Sequence, residues 1–257
     1  MIRLFSYLFL GFIFFASCQP STSQTKWPDC SVKLEKTTFL DTIRNRQIPV
    51  GLYAPTKQLP TDKLPLIIIS HGYNENRPDS YLSYSFIAKE FASKGYFVAS
   101  IQHELPTDSL LDLKGVAQLV RKSNWERGVE NILFVMKTLQ TSHSIIDFAN
   151  VTLIGHSNGG DMSMLFGQKH PDLVKRIISL DNRRLDLPRT NTPRIATLRS
   201  SDQQADAGVL PTIEEQERFN IKVIQCKDLP HSNMSDKGTK KQQKTINRLL
   251  LKLITGL

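Results

Sequence analysis

Short apolar segments alternate with longer amphipathic segments along most of the chain. The apolar segments are rich in Val, Ile and Leu, as is typical of strands that are buried on both faces of a sheet. Predicted strands cover 32–39, 47–53, 66–69, 96–101, 151–154, 176–180, 194–198 and 221–226. Predicted helices cover 84–94, 125–139, 161–170, 212–219 and 238–254. Strands that alternate with helices predict an α/β fold, with a mostly parallel central sheet and helices on both faces.

The first two predicted strands, 32–39 and 47–53, are joined by a polar turn at 41–46. This spacing predicts an antiparallel pair. Pro49 cannot donate a hydrogen bond to a neighbouring strand, so we expect the pair to lie near a sheet edge.

The amino-terminal segment differs from the rest of the chain. After Arg3, residues 4–16 are almost wholly apolar, a run too short for a comfortable membrane span. The run ends in Phe15-Ala16-Ser17-Cys18, which resembles the lipobox of bacterial lipoproteins, in which the cysteine is acylated. We therefore expect a signal peptide at 1–17, a tether at 18–30 and a globular domain at 31–257. The alternatives are an ordinary secretory signal and a retained membrane anchor.

The composition suits a single globular domain of this class. The chain has 257 residues, of which 40% are hydrophobic and 22% charged, and its net charge is +9. Much of the positive charge lies on the predicted terminal helix, where it forms one solvated face that favours anionic lipid or glycan. Neither a nucleic-acid-binding motif nor aromatic residues interleaved with the basic ones are present, so nucleic acid is not expected as a partner.

A nucleophile motif follows the predicted strand at 151–154. Residues 155–160 read Gly-His-Ser-Asn-Gly-Gly and lead directly into a predicted helix. The strand, tight turn and helix together form the context in which a Gly-x-Ser-x-Gly motif presents its serine above a sheet. Glycine is needed on either side because the turn leaves no room for side chains. Ser157 is therefore the predicted nucleophile.

Four segments together resemble the α/β-hydrolase superfamily: 70–73 (Ser-His-Gly-Tyr), 155–160, 179–181 (Ser-Leu-Asp) and 230–232 (Pro-His-Ser). The chain looks most like the esterase groups that contain platelet-activating-factor acetylhydrolase and the dienelactone-hydrolase-like enzymes. The resemblance implies the α/β-hydrolase fold. Lipase-type members carry a lid after the strand at 176–180, but the stretch before residue 194 is too short for one. We therefore expect no large lid and an open, shallow site.

The resemblance also implies the remaining parts of a catalytic triad. His231 follows the last predicted strand, where the base of the superfamily lies, and His103 is the alternative base. Asp202, after the strand at 194–198, is the expected acid because its approach gives the loop slack to turn towards His231. Asp181 is the alternative, since the acetylhydrolase-like groups use that position, and Asp206 is a further candidate.

Backbone donors would stabilise the oxyanion of the reaction. The residue after the nucleophile supplies one, from Asn158, and by resemblance to His-Gly-x loops Tyr73 supplies the other. His71 is expected to shape the oxyanion loop, and the His156 ring to point away from Ser157 into the scaffold. The excursion at 104–123 is expected to supply one wall of the pocket. No histidine pair has the spacing of zinc ligands, and the mechanism needs neither metal nor cofactor.

Together these features predict a serine hydrolase that cleaves carboxylic esters, on a small-molecule or lipid-like substrate, through an acyl-enzyme. Export and a lipid on Cys18 would hold it on the periplasmic or cell-surface side of a bacterial membrane. The alternatives are a peptidase or thioesterase with the same triad, and a catalytically inactive hydrolase fold that serves as a surface binding protein.

Overall fold

The computed structural model describes residues 30–57 and 63–256. The predicted signal peptide at 1–17, with its lipidation site Cys18, and nearly all of the predicted tether lie outside these residues. Within the described ranges, no helix combines the length and the apolar content needed to cross a lipid bilayer.

One sheet of eight strands organises the described chain, in the order β1-β2-β4-β3-β5-β6-β7-β8. The strands are β1 (Val32–Asp41), β2 (Arg46–Pro55), β3 (Leu64–Ser70), β4 (Phe97–Ile101), β5 (Ile146–His156), β6 (Arg176–Leu180), β7 (Arg194–Arg199) and β8 (Lys222–Gln225). β1 and β2 pair antiparallel, as does β2 with β4, and every other neighbouring pair is parallel. The predicted antiparallel pair at the sheet edge is therefore confirmed.

Helices cover both faces of this sheet. They are α1 (Ser85–Ser93), α2 (Ala117–Val120), α3 (Lys122–Ser142), α4 (Asn158–Lys169), α5 (Ile213–Arg218) and α6 (Lys240–Thr255). The buried sides of α1 and α6 share one hydrophobic cluster with the sheet, and those of α3 and α4 share the other. The fold is that of an α/β hydrolase, and no helix lies between β6 and β7, so the prediction that no large lid is present is confirmed.

Several elements are longer than their predicted counterparts, and β5 and α3 gain the most, because the apolar core of each continues into polar residues. β5 begins at Ile146 and ends at His156, and a register shift against β3 accommodates its polar segment. α3 extends three residues beyond the predicted helix at each end. The sequence pattern also missed α2, which is four residues long and buries no side chain.

Parallel strands present their carboxyl ends at one edge of a sheet, where sites of this fold class lie. β3 ends before His71, β5 before Ser157 and β6 before Asp181. His231 follows β8 along the chain. The predicted site residues therefore follow strands that end at a common edge.

Candidate active site

Ser157 lies in a strained turn between β5 and α4. Its φ of 52° and ψ of −120° are unfavourable for a residue with a side chain. A Cβ on Gly155 would lie 2.2 Å from the Gly159 carbonyl oxygen, and one on Gly159 would lie 2.4 Å from the His71 carbonyl oxygen. The two glycines are therefore required by close backbone approach, as the motif predicts.

Three side chains form a continuous hydrogen-bonded array at this turn. The Ser157 Oγ lies 3.0 Å from His231 Nε2, and His231 Nδ1 lies 2.6 Å from Asp181 Oδ2. The serine can donate to Nε2 only when Nδ1 carries the proton and donates to the carboxylate. This is the arrangement in which a histidine can accept the serine proton while an acid fixes its tautomer.

The prediction that Asp202 orients the His231 ring is wrong, because Asp202 bonds the His231 backbone and not its imidazole. Asp181, the alternative, occupies the position against Nδ1. The order of the strands does not explain the difference, because β7, which precedes Asp202, lies between β6 and β8. The error concerns how the carboxylate reaches the imidazole. Asp181 directly follows β6 in a left-handed conformation with φ of 59°, and this turn brings its carboxylate to the imidazole without a longer loop.

The loop after β7 serves Asp181 instead of supplying the acid. Ser200 donates to the Asp181 carboxylate from its backbone N–H, at 3.0 Å, and from its hydroxyl, at 2.7 Å. Arg199 Nη2 forms an ion pair with Asp181 Oδ1 at 2.8 Å. Burial raises the pKa of Asp181, but the bonds from His231 and Ser200 and the charge of Arg199 outweigh it and leave the pKa below its ordinary value. A carboxylate held ionised in this way is suited to stabilising an imidazolium.

Asp202 contacts His231 at a different atom. Its Oδ1 accepts a hydrogen bond of 2.7 Å from the His231 backbone N–H, and its side chain is exposed. Asp202 therefore holds the loop that carries the histidine. Asp206, the further candidate, is paired with Arg184 and makes no contact with His231 among the described residues.

The two predicted oxyanion donors come from two segments that lie next to Ser157. Asn158 is the first residue of α4 and is buried, and Tyr73 lies in the loop after β3. That loop approaches the nucleophile closely, because a Cβ on Gly72 would lie 3.3 Å from the Ser157 Cβ. Within residues 30–57 and 63–256, neither the Tyr73 nor the Asn158 backbone N–H has a hydrogen-bond acceptor. Both donors are therefore free for a substrate oxygen.

A buried network fixes the side chain of Asn158, and sequence reasoning missed it. Asn158 Oδ1 accepts from Trp125 Nε1 at 2.8 Å, while its Nδ2 donates to Glu104 Oε1 at 3.0 Å and to Asn124 Oδ1 at 2.8 Å. The partners come from the loop after β4 and from α3, so no local sequence signal links them. The network holds the first turn of α4, and with it the Asn158 backbone N–H, in place.

A second chain of bonds joins the oxyanion loop to the His231 backbone. The Gly72 N–H donates to the Tyr84 hydroxyl at 3.0 Å, and that hydroxyl lies 2.7 Å from His156 Nδ1. His156 Nε2 lies 3.1 Å from the His231 carbonyl oxygen, which can only accept. His156 must therefore carry its proton on Nε2 and accept from the Tyr84 hydroxyl on Nδ1.

This geometry keeps His156 neutral. Burial, reinforced by the nearby His231, lowers the pKa of His156 to about 3. The two rings lie 4.6 Å apart, so a neutral His156 adds no charge next to an imidazole that must itself take up a proton. As predicted, His156 belongs to the scaffold.

The remaining histidines near the site have structural roles. His71 Nε2 accepts from the His103 backbone N–H at 3.0 Å, and this bond ties the oxyanion loop to the end of β4. His103, the alternative base, is fully buried, and burial together with His71 and nearby arginines lowers its pKa well below the ordinary value. Since His231 already lies against Ser157, His103 does not take the position of the base.

A cavity of about 200 Å³ opens beside the triad. Tyr73, Asn74 and Tyr84 line one side, and His231 and Ser235 line the other. The excursion at 104–123, which was expected to form a wall, does not line this cavity in the described structure. It supports the wall indirectly, because the Leu111 backbone N–H donates to the Tyr73 hydroxyl at 3.0 Å.

Part of this chain resembles one known protein family in sequence. The family model of platelet-activating factor acetylhydrolase, isoform II, matches residues 30–109. This match covers the oxyanion loop but none of the three triad residues. No curated protein matches the chain in sequence.

Solved structures match over most of the chain at low identity. The esterase Est22 shares 14% identity, with 90% of this chain and 83% of that one covered and a TM-score of 0.63. The dienelactone hydrolase-like promiscuous phosphotriesterase P91, from metagenomic libraries, shares 12%, with 88% and 99% covered and a TM-score of 0.64. The ferulic acid esterase from Streptomyces cinnamoneus shares 17%, with 84% and 78% covered and a TM-score of 0.57.

At such low identities the solved structures show the fold alone, and the partial family match points to the same superfamily. The chain has the fold of the α/β-hydrolase superfamily and resembles the esterases within it.

Proposed function

We propose that this protein is a serine hydrolase that cleaves carboxylic esters through an acyl-enzyme intermediate. The observation that carries the proposal is the unbroken array from Ser157 Oγ to His231, at 3.0 Å, and from His231 to the buried Asp181, at 2.6 Å. The partial match to an acetylhydrolase family and the esterases among the structural neighbours support the same reaction class.

In the first half of the reaction, Ser157 Oγ attacks the ester carbonyl carbon while its proton passes to His231 Nε2. The carbonyl oxygen becomes an oxyanion and accepts from the backbone N–H groups of Tyr73 and Asn158. Each such donor is typically worth ~3 kcal/mol in the transition state. The intermediate then expels the alcohol, which takes the proton from His231 Nε2, and the acyl group stays on Ser157.

In the second half, water attacks the acyl-enzyme with His231 as base, and the carboxylic acid leaves as Ser157 regains its proton. Asp181 remains ionised throughout. Burial raises its pKa, but His231, Arg199 and Ser200 outweigh burial and lower the pKa. The carboxylate therefore stays ionised and stabilises the transient imidazolium. Every step uses groups of this chain, and the mechanism calls for no cofactor.

The cavity limits the size of the group that binds beside the triad. Its volume of about 200 Å³ lies below the roughly 300–1,000 Å³ of ordinary small-molecule sites. We therefore expect short acyl or small alcohol groups to fit inside it, with any larger part of the substrate left outside in the open site.

Labelling and turnover test the proposal together. A fluorophosphonate should label the parent at Ser157, and p-nitrophenyl esters should be cleaved fastest when their acyl chain is short. Ser157→Ala should abolish labelling and lower turnover more than ~10³-fold with the fold retained. Ser144→Ala, at an exposed serine away from the site, serves as the matched control and should behave like the parent.

Three results would redirect the proposal. Turnover of Ser157→Ala within about tenfold of the parent would remove the nucleophile assignment. Faster cleavage of amides or thioesters than of matched esters would indicate a peptidase or a thioesterase. Absence of both labelling and turnover in a folded parent would indicate a surface binding protein.

We also propose that the chain is exported and held on a bacterial membrane by a lipid on Cys18. The support is the short apolar run that ends in Phe15-Ala16-Ser17-Cys18. Radiolabelled palmitate should be incorporated into the parent and not into Cys18→Ser. Equal incorporation into both would place the lipid elsewhere.

A further inference from the structure

A second, larger cavity lies at the opposite end of the sheet from the triad. It has a volume of about 820 Å³, within the range of ordinary ligand sites. Arg176 and Arg194, which line it, are the first residues of β6 and β7, whereas Asp181 follows the other end of β6. A strand of five residues separates the two ends by roughly 16 Å, so this groove is distinct from the candidate active site.

The floor of this groove is apolar. Ile178 and Ala196 contribute from the sheet, Ile224 from the edge strand β8, and Leu249 and Leu253 from α6. Ile213 of α5 lies at its margin and is strongly exposed. The groove therefore offers a continuous apolar surface on which an alkyl chain can be buried.

The rim of the groove is positively charged. Arg176, Arg194, Lys222 and Lys252 line it, and Glu217 is the single carboxylate in the described lining. Within residues 30–57 and 63–256, none of these four cations forms an ion pair. Lys252 lies in the last turn of α6, where a cation stabilises the helix end, so Arg176 and Arg194 are the stronger candidates for binding a ligand.

Arg176 and Arg194 lie directly opposite each other in the register of β6 and β7. Like charges in this arrangement destabilise a sheet. Burial, together with Arg194, lowers the pKa of the Arg176 guanidinium, and Arg176 Nε is buried with no hydrogen-bond partner among the described residues. Arg194 is exposed and partly screened by solvent, so the cost falls mainly on the half-buried Arg176, and a bound anion would relieve it.

We propose that the groove binds a single-chain amphiphilic anion, with the anionic head between Arg176 and Arg194 and the alkyl chain along Ala196, Ile224 and Leu253. A carboxylate and a phosphate monoester both fit this description, since either accepts hydrogen bonds from two guanidinium groups. The volume and charge of the groove suit one such molecule, and its use is independent of the reaction at Ser157.

Calorimetric titration of the intact chain with dodecanoate, below its micelle concentration, tests the proposal. The double variant Arg176→Gln with Arg194→Gln should weaken binding at least about tenfold, because two charge-assisted hydrogen bonds to the head are lost. The matched control is Lys244→Gln with Arg248→Gln, on the same helix as Lys252 but outside the groove lining. It removes the same charge and should bind within about twofold of the parent, because salt screens charges that lie outside the groove. Dodecyl phosphate in place of dodecanoate separates a preference for phosphate from one for carboxylate.

A photoreactive diazirine derivative of dodecanoate locates the site. Cross-links should map to peptides that contain 221–224 and 249–253. Cross-links confined to 72–84 or 231–237 would place the ligand at the triad and overturn the proposal.

Two results of the binding measurements would also overturn it. Equal loss of affinity in the groove variant and the control would show diffuse charge attraction. Binding only to anionic vesicles would show a membrane-facing surface. Because the ligand is not an ester, failure here leaves the proposed hydrolase reaction unaffected.

Discussion

Two aspartates hold His231, and they hold it at different atoms. Asp181 is fully buried and bonds the imidazole at Nδ1, whereas Asp202 is exposed and bonds the backbone N–H of the same residue. Asp181 receives further bonds from Ser200 and an ion pair from Arg199. The comparison separates two tasks that a triad needs: fixing the tautomer and charge of the ring, and placing the loop that carries the ring.

A third contact extends the comparison. His156 bonds the His231 carbonyl oxygen and is itself oriented by the Tyr84 hydroxyl. The backbone of His231 is therefore held on both sides of its Cα atom, by Asp202 at N–H and by His156 at C=O. Changes at the ring should affect chemistry, and changes at the backbone should affect placement, with smaller losses.

The largest expected effect is that of Asp181→Asn on turnover. An amide at this position cannot stabilise the imidazolium and favours the wrong tautomer, so kcat for a p-nitrophenyl ester should fall by up to ~10⁴. Circular dichroism should show a native spectrum, because Asn has nearly the same shape as Asp. A folded variant with near-parental kcat would mean that the buried carboxylate is structural and would reverse the comparison.

The same substitution should change how stability depends on pH. The pKa of Asp181 is below its ordinary value because bonds from His231, Ser200 and Arg199 outweigh burial, so the folded chain binds this proton less readily than the unfolded chain. The stability that the carboxylate contributes is therefore present above its unfolded pKa of about 3.9 and is lost as pH falls through the folded pKa. The melting temperature of the parent should exceed that of Asp181→Asn by roughly 5 °C at pH 7.

That difference should shrink as the melts are repeated at pH values below about 4. A gap that stays constant down to pH 3 would contradict the assignment of a stabilising charge to Asp181. Asp202→Asn, measured in parallel, provides the control for a carboxylate outside the buried array.

The difference between the two aspartates also shows what a sequence can and cannot predict here. Ser157, His231 and the positions of the strands along the chain follow from local patterns, since each lies in a motif, in an apolar segment or just after one. The choice between Asp181 and Asp202 depends on a left-handed turn at Asp181 and on the path of the 229–231 segment, where the Ser201 N–H donates to the Leu229 carbonyl oxygen. Neither leaves a pattern in the residues themselves.

The supporting networks are hidden for the same reason. The partners of Asn158 come from 104 and 124–125, and the partner of His156 comes from residue 84, so only the fold brings them together. The excursion at 104–123 was expected to form a wall of the pocket. It instead supports Tyr73, which lines the cavity, and does not line the cavity itself. Long-range packing decides these details, and spacing along the chain does not encode them.

A smaller effect is expected when the hold on the His231 carbonyl is weakened. Tyr84→Phe removes the hydroxyl that donates to His156 Nδ1 and accepts from the Gly72 N–H, leaving two buried groups unsatisfied at a cost of about 1–3 kcal/mol in unfolding free energy. We expect kcat to fall about tenfold with KM nearly unchanged, since the His231 ring retains its hydrogen bond to Asp181. Tyr53→Phe, at another buried tyrosine, is the control for loss of a hydroxyl alone. A loss of kcat as large as that of Asp181→Asn would mean that backbone placement matters as much as the tautomer.

The smallest effect should be that of Asp202→Asn. The Asn side-chain carbonyl oxygen can still accept from the His231 backbone N–H, and the site is exposed, so the loss of charge is screened by solvent. We expect kcat within about threefold of the parent, while Asp202→Ala, which removes the acceptor, should lower it about fivefold to tenfold by loosening the loop. Both variants are measured with the same ester and compared with Asp181→Asn. If Asp202→Asn were folded and inactive while Asp181→Asn kept its activity, the exposed aspartate would be the functional acid in solution, and the buried array would be a feature of the scaffold.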